Sequence, residues 1–478
     1  MTDKTLNRLL VFLSLIAFVF YYGQIHPLVP FDTDDWLNMS LVRPFYPSLN
    51  CWNPTKVFPE KLEPAVAAFA IRFIAPIIGD YINALILANA IIVSFFITWY
   101  LYSVNKLLND KFQLSPLNSF CIMFLFVLMH FLLLKTKETG NDYLWYAEDC
   151  NCYYHYIIPN LLCSCLVLWL MRHEVLKWKN IIDICFVILI TYFALCSNLY
   201  STVILVAYIG AKLLYDLIKS HKEDSNWLSI YIKRHAYGII VLFLWLIVQL
   251  IEVNGIRANA YGNLNEPLIK SIWPTLKNAF SVHYCTSFIV LAVLTVLCAK
   301  IIDCTSKRHP IIYIGKCQIV ILLASILSFS YLLLLSSKVN PENMQKGEVI
   351  FSYSFFLLLL LILCVGYLNS KVKVVRYFLP LFLLLVSFNI RNVRSTFLGV
   401  QCLWGTTEYE CITHDRHFID QTRYAEALGQ DSVIIFVPKF ELKDNWPLAF
   451  DSSEGISVAL SRHSITKRYI KAKFELQE

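Results

Sequence analysis

The segment FDTDDW, residues 31–36, sets the carboxylates Asp32, Asp34 and Asp35 within four positions and ends on Trp36. Carboxylates this close repel one another, which raises the proton affinity of at least one of them. A carboxylate so tuned is a better general base toward a sugar hydroxyl, and the adjacent ring can stack on a sugar face. A structural reading competes with this one. Asp favours turns and helix caps, so the same run can be an acidic turn that caps the segment after it.

Two further stretches have the composition of a carbohydrate site. NCWNPTKVFPEKLEPAVAAFA, residues 50–70, carries Trp52, Lys56 and Glu60. Lys56 can hold a phosphate; equally, this can be a Pro-punctuated loop whose rings anchor it among headgroups. YLWYAEDCNCYYHYIIPN, residues 143–160, brackets Glu148, Asp149 and His155 with rings that include Trp145 and Tyr146. Rings beside carboxylates suit sugar binding, and they also suit an aromatic belt with an acidic turn. Cations able to neutralise a phosphate are Arg43, Arg257, Lys270, Lys277, His283, Lys338, Lys346, Arg391 and Arg394. For any one of them ordinary interfacial snorkelling is the plainer explanation. Cys150 and Cys152 are so close that a disulfide between them would be strained. No Walker A, dinucleotide-binding glycine loop, HExxH, GxSxG or zinc-spaced Cys/His set is present.

The elements that must position these residues are membrane helices. Of 478 residues, 57% are apolar and only 16% charged, with a mean hydropathy of +0.56. A soluble domain is about 45–50% apolar and about 25% charged, so neither disorder nor a single soluble globule fits. Apolar runs near 9–23, 81–103, 117–134, 154–171, 181–198, 200–218, 236–253, 285–302, 317–337, 350–368 and 377–390 give about eleven spans of bilayer length. The first is read as an uncleaved anchor, because no small-residue cleavage site follows it. Lys and Arg concentrate in alternate loops, which predicts a cytoplasmic N-terminus and an outer C-terminus. The net charge of +7 then belongs to inner loops and not to nucleic acid. LEPAVAAFAIRFIAPIIG, residues 62–79, is apolar but interrupted by Arg72 and Pro76, which suits a helix lying at the interface. The expected architecture is an all-α polytopic membrane protein with an outer interfacial helix and a small extracytoplasmic α/β C-terminal domain. Its transmembrane domain covers 1–394, with the candidate catalytic outer loop at 24–80, and its C-terminal domain covers 395–478.

FDTDDW, followed by WNPTKVFPE and GDYINALILANA, resembles the GT-C integral membrane glycosyltransferases, and most of all the phage-type serotype-converting O-antigen glucosyltransferases. The resemblance is best over the first hundred or so residues. It implies that the catalytic carboxylate is Asp34 or Asp35, with Asp32 still in contention. It further implies transfer of glucose or a similar hexose from a polyprenyl-phosphate carrier to a lipid-linked surface polysaccharide, at the periplasmic face of a bacterial inner membrane. The donor is already activated, so no cofactor or metal is expected. Whether a separate carrier flippase and carrier-charging enzyme act upstream is left open. An O-antigen polymerase and a non-enzymatic polysaccharide or lipid flippase are the alternatives. A flippase would need polar residues lining a path through the spans, and few are present.

Overall fold

The computed structural model describes residues 3–30, 32–131, 143–147, 149–173, 181–220, 227–261, 268–281, 312–372, 407–439 and 452–476. Among these, seven helices are long and apolar enough to cross a membrane. They are α1 (Asp3–Phe20, extended by a π turn through Ile25), α4 (Tyr81–Phe112), α6 (Cys150–Arg172), α8 (Leu199–Ser220), α9 (Trp227–Val253), α12 (Ile312–Val339) and α13 (Gly347–Lys371). Two shorter apolar helices, α5 (Pro116–Phe131) and α7 (Ile181–Leu195), lie between them. The expected spans at 285–302 and 377–390 fall outside the described residues. The chain is a multi-pass membrane protein. In hydrocarbon every backbone N–H and C=O must be satisfied within the segment, and long uncharged Leu, Ile, Val and Phe runs do this as helices.

Burial sorts the helices. α13 and α6 are buried along nearly their whole length and form the centre of the bundle, whereas α1 and α9 expose most of theirs. α8 packs on α12, α12 on α13, α4 on α6, and α6 on α8. α4 begins at Asp80, whose side chain accepts the Asn83 N–H at 2.8 Å, and it ends at Gln113 in the left-handed region (φ 49°).

Two short helices precede α4. α2 is Thr33–Met39. α3 is Pro59–Phe69, which runs on through a π turn, Ala70–Ile74, and a last turn, Ala75–Ile78, to Gly79. Pro59 sits in the first turn of α3, where its missing N–H costs nothing. α3 and its extension pack along α4 and turn Phe69, Phe73 and Ile77 outward. Residues 62–79, expected to be helical, do form this helix and its extension.

Beyond α9 come α10 (Ile256–Tyr261) and α11 (Leu268–Ser281), and a 3-10 turn, Pro341–Gln345, joins α12 to α13. The C-terminal elements are α14 (Thr407–Ala427), β1 (Ser432–Val437), α15 (Ser452–Arg462) and β2 (Lys471–Leu476). β1 and β2 pair in parallel, from Ser432 opposite Lys471 to Val437 opposite Leu476. Parallel neighbours need a crossover connection, and α15 lies in it. This unit docks on α2 and the start of α4. Arg462 donates to the Ser40 carbonyl, Arg416 pairs with Asp80 at 2.9 Å, and the Tyr81 hydroxyl lies 2.8 Å from His463 Nδ1.

Candidate functional site

FDTDDW becomes the start of α2, and its three carboxylates part company. Asp32 is the N-cap, and its Oδ1 accepts the Asp35 N–H at 3.2 Å. Asp35 is fully buried and spans the gap to α6: the Cys150 N–H donates to Oδ2 at 3.0 Å and the Asn151 N–H to Oδ1 at 2.5 Å. A helix start has free N–H groups and a positive dipole end, so a carboxylate there is doubly favoured. Asn38 adds a second tie, donating to Asn151 Oδ1 at 3.0 Å. Asp34 alone is exposed. The capping reading therefore describes Asp32 and Asp35, and the chemical reading has Asp34 left to carry it.

The first loop is held by an ion pair. Arg43 is buried, pairs with Glu60, and donates to the carbonyls of Asn53 (2.5 Å) and Pro54. Glu60 also accepts from Asn53 Nδ2 at 2.8 Å. Arg43 and Glu60, read from sequence as substrate contacts, are thus occupied in folding residues 43–60. The reason is simple complementarity: each is the other's nearest opposite charge in a dry place. Arg257, at the start of α10, reaches the same loop through Asn53 Oδ1 at 3.2 Å, and Glu252 accepts the Thr55 N–H at 2.7 Å. Gly255 makes this approach possible, since a Cβ there would lie 2.6 Å from Pro54 Cγ.

Lys56 emerges from this clamp buried, with Nζ 5.8 Å above the Tyr156 ring. Among the described residues it has no ion-pair partner within 4.0 Å. Burial, and then the nearby Arg257, lower its pKa to about 7 against the opposing pull of Glu252 and Glu60. Trp52 is exposed on the loop surface.

The segment 143–160 meets the first loop through Asp35. Asp149 is half-buried at the head of α6, hydrogen-bonded with Cys152 and within electrostatic reach of Asp34 and Lys346. Burial raises its proton affinity, and the Cys152 hydrogen bond and Lys346 partly offset this. Glu148 lies outside the described residues. Cys150 and Cys152 are free thiols. His155 is buried one turn further on, its Nε2 4.0 Å from Glu63 Oε2.

The rings are placed differently from the sequence reading. Trp145 is completely buried, stacked on His130 at 4.2 Å and set edge-on to Phe131 and Phe18. It belongs to the packed core. Trp36 is buried against the C-terminal unit and donates its indole N–H to Asp415. Tyr146 is half-buried, 5.2 Å from His26. Lys338 is half-buried at the end of α12, while Lys270 and Lys277 are exposed on α11. His283, Arg391 and Arg394 lie outside the described residues.

The result is one wall with two polarities. Asp34 and Asp149 lie within electrostatic reach of each other on the acidic side. Lys56 and Arg257 lie near His155 on the basic side, and Cys152 is close to both Asp149 and Lys56. Glu63, on α3, faces both halves and is not among the candidates read from the sequence. The signal was a carboxylate three residues after Glu60 inside an apolar helical run. Among the described residues no three His, Cys, Asp or Glu side chains gather as a metal site. Comparison with protein-family models, with curated proteins and with solved structures finds no match to this chain.

Proposed function

We propose that the protein is a glycosyltransferase that moves a hexose from a polyprenyl-phosphate carrier to a lipid-linked surface polysaccharide. One observation carries this reading. An exposed carboxylate, Asp34, is linked through Asp149 and Cys152 to a buried lysine, Lys56, that has no ion-pair partner among the described residues and has Arg257 beside it. Base and anion holder are the two things that this transfer requires of a protein.

In this reading Asp34 takes the proton of an acceptor hydroxyl. The freed oxygen attacks the anomeric carbon, and the bond to the phosphate oxygen breaks. The polyprenyl phosphate leaves with the electron pair and one more negative charge, which Lys56 and Arg257 neutralise. Asp149 binds acceptor hydroxyls beside the base. The α3 extension, with Phe69, Phe73 and Ile77 outward, keeps the site at the depth where a lipid phosphate lies.

The reading includes a site on the outer face of a bacterial inner membrane, about eleven spans, a cytoplasmic N-terminus and an outer C-terminal unit. Its test is expression of the chain in membranes with radiolabelled polyprenyl-phosphate glucose and a lipid-linked acceptor. Transfer of single sugars is the expected result. Elongation of the acceptor by whole repeats would assign a polymerase, and lipid movement without transfer a flippase. An active alkaline phosphatase fused after residue 478 tests the orientation, and an inactive one overturns it.

A further inference from the structure

Glu63 and His155 are buried polar groups whose facing atoms take no hydrogen bond from any described residue. Glu63 is 1% exposed, and neither of its carboxylate oxygens has a hydrogen-bond partner. His155 is 3% exposed, and its Nε2 is likewise unsatisfied. The two side chains face each other at 4.0 Å, beyond hydrogen-bond range. An oxygen about 2.8 Å from each would bridge them in a bent arrangement. Buried polar groups are almost always satisfied by protein, water or ligand.

The surroundings select the charge of that oxygen. From α2, Glu63 faces Asp32, Asp34 and Asp35; from the start of α6 it faces Asp149, Cys150, Tyr154 and His155. Burial first, and then Asp35, Asp149, Asp32 and Asp34, push its carboxyl well above the usual range, which favours the protonated form. A neutral Glu63 cannot be half of an ion pair. On the other side, His155 faces Lys56, Arg257 and Arg43. An anion between the two would meet the carboxylates, and a cation would meet the basic side.

We propose that Glu63 and His155 form a two-pronged subsite for one neutral oxygen: a water in the resting protein and a hydroxyl of the donor sugar once the donor is bound. The sugar half rests on the glycosyltransferase reading above; the water half does not. Glu63 O–H donates to the oxygen, and the oxygen's own O–H donates to His155 Nε2. Lys56 neighbours His155, so a sugar whose phosphate lies on Lys56 and Arg257 brings a ring hydroxyl to the pair. Both residues are positioning residues, and neither exchanges a proton with the reacting atoms.

The test is infrared spectroscopy of the full chain in lipid nanodiscs at neutral pH. A protonated-carboxyl stretch belonging to Glu63 is expected as the band present in the wild-type spectrum and missing from that of Glu63→Gln, with Asp415 and Asp149 common to both proteins. Polyprenyl-phosphate glucose should shift it, and His155→Phe should abolish the shift. Glu63→Leu should lose roughly 10- to 100-fold in transfer, and Glu63→Gln, which keeps a donor, should recover part of that loss. Absence of the band overturns the subsite. A band that does not move while transfer proceeds overturns its sugar half. No transfer from any polyprenyl-phosphate donor, with the band intact, counts against the glycosyltransferase reading and supports the water half.

Discussion

The carboxylate of Asp35 closes the N-terminus of α6, accepting the backbone N–H groups of Cys150 and Asn151, which lie 115 and 116 positions further along the chain. This one contact joins the two segments that carry candidate chemistry. It also uses both oxygens of a residue that its sequence setting offers as a catalytic base. Asp34, next to it in sequence, is exposed and has the opposite character.

Asp34→Asn and Asp35→Asn should therefore fail in different ways. In Asp35→Asn the amide oxygen can still accept one N–H, but the amide nitrogen then points a donor at the other. The expected loss is about 1–3 kcal/mol of stability, seen as a lower thermal midpoint in detergent. Asp34→Asn should melt like the wild type and lose about 10²–10⁴-fold in sugar transfer. A normal melt for Asp35→Asn would refute the cap, and near-normal transfer by Asp34→Asn would refute the base.

Breaking the Arg43–Glu60 pair should unfold the first loop and not merely weaken substrate binding. Glu60→Ala leaves a buried guanidinium without its counter-charge, which costs about 3–5 kcal/mol. The double variant Arg43→Met with Glu60→Leu removes both charges and should recover much of that loss. The comparison is read as thermal midpoints of the three proteins. If Glu60→Ala melts normally and only raises the KM for donor, the clamp assignment is wrong.

Membrane helices were legible because runs of eighteen or more apolar residues admit few other structures. The site was legible only as a set of segments. That Asp tends to cap helices is visible in FDTDDW, but the helix that Asp35 caps begins more than a hundred residues later. Trp36 beside carboxylates reads as a sugar platform; its partner, Asp415, is in the C-terminal unit, and no local pattern announces that pairing. Trp145 reads as a belt residue and instead stacks on His130 in the core. Glu63 was missed because a lone carboxylate in an apolar run carries no motif; only the packing of α3 against the head of α6 reveals that it is buried and unpartnered.

Lys56 predicts a specific pH dependence. Its pKa is lowered to about 7 in the folded protein, against about 10.4 in an unfolded chain. Between those values the unfolded chain binds more protons, so stability contributed at this site rises with pH and is lowest below about 7. Ligand binding has the reverse sense. A phosphate favours charged Lys56, so affinity for polyprenyl phosphate should be highest below about pH 7 and fall as pH rises beyond it. Lys56→Gln should weaken binding at acid pH and flatten the profile, apart from the phosphate's own ionisation near pH 6. An unchanged profile in the variant, measured by inhibition of transfer, would remove Lys56 from the phosphate site.

The C-terminal unit should loosen from α2 as pH rises, with Asp415 as the titrating group. Asp415 is buried and accepts from the Trp36 indole N–H. Burial pushes its carboxyl well above the usual range, and the Trp36 bond only partly offsets this. A folded-state pKa above the unfolded one gives stability that is present at low pH and lost as pH rises through the folded value. His463, also in this interface, has the opposite sign. Its pKa is lowered to about 4, so its contribution falls only on acidification below about 6.5. The alkaline and acid limbs are therefore separable. Asp415→Asn should abolish the alkaline loosening and leave the acid limb intact, and Trp36→Phe should loosen the unit by about 1–3 kcal/mol by removing its donor. Protease cleavage between 395 and 478 in membrane vesicles reads the docking. Alkaline loosening that survives in Asp415→Asn would show that another group holds the C-terminal unit on the helix that carries Asp34.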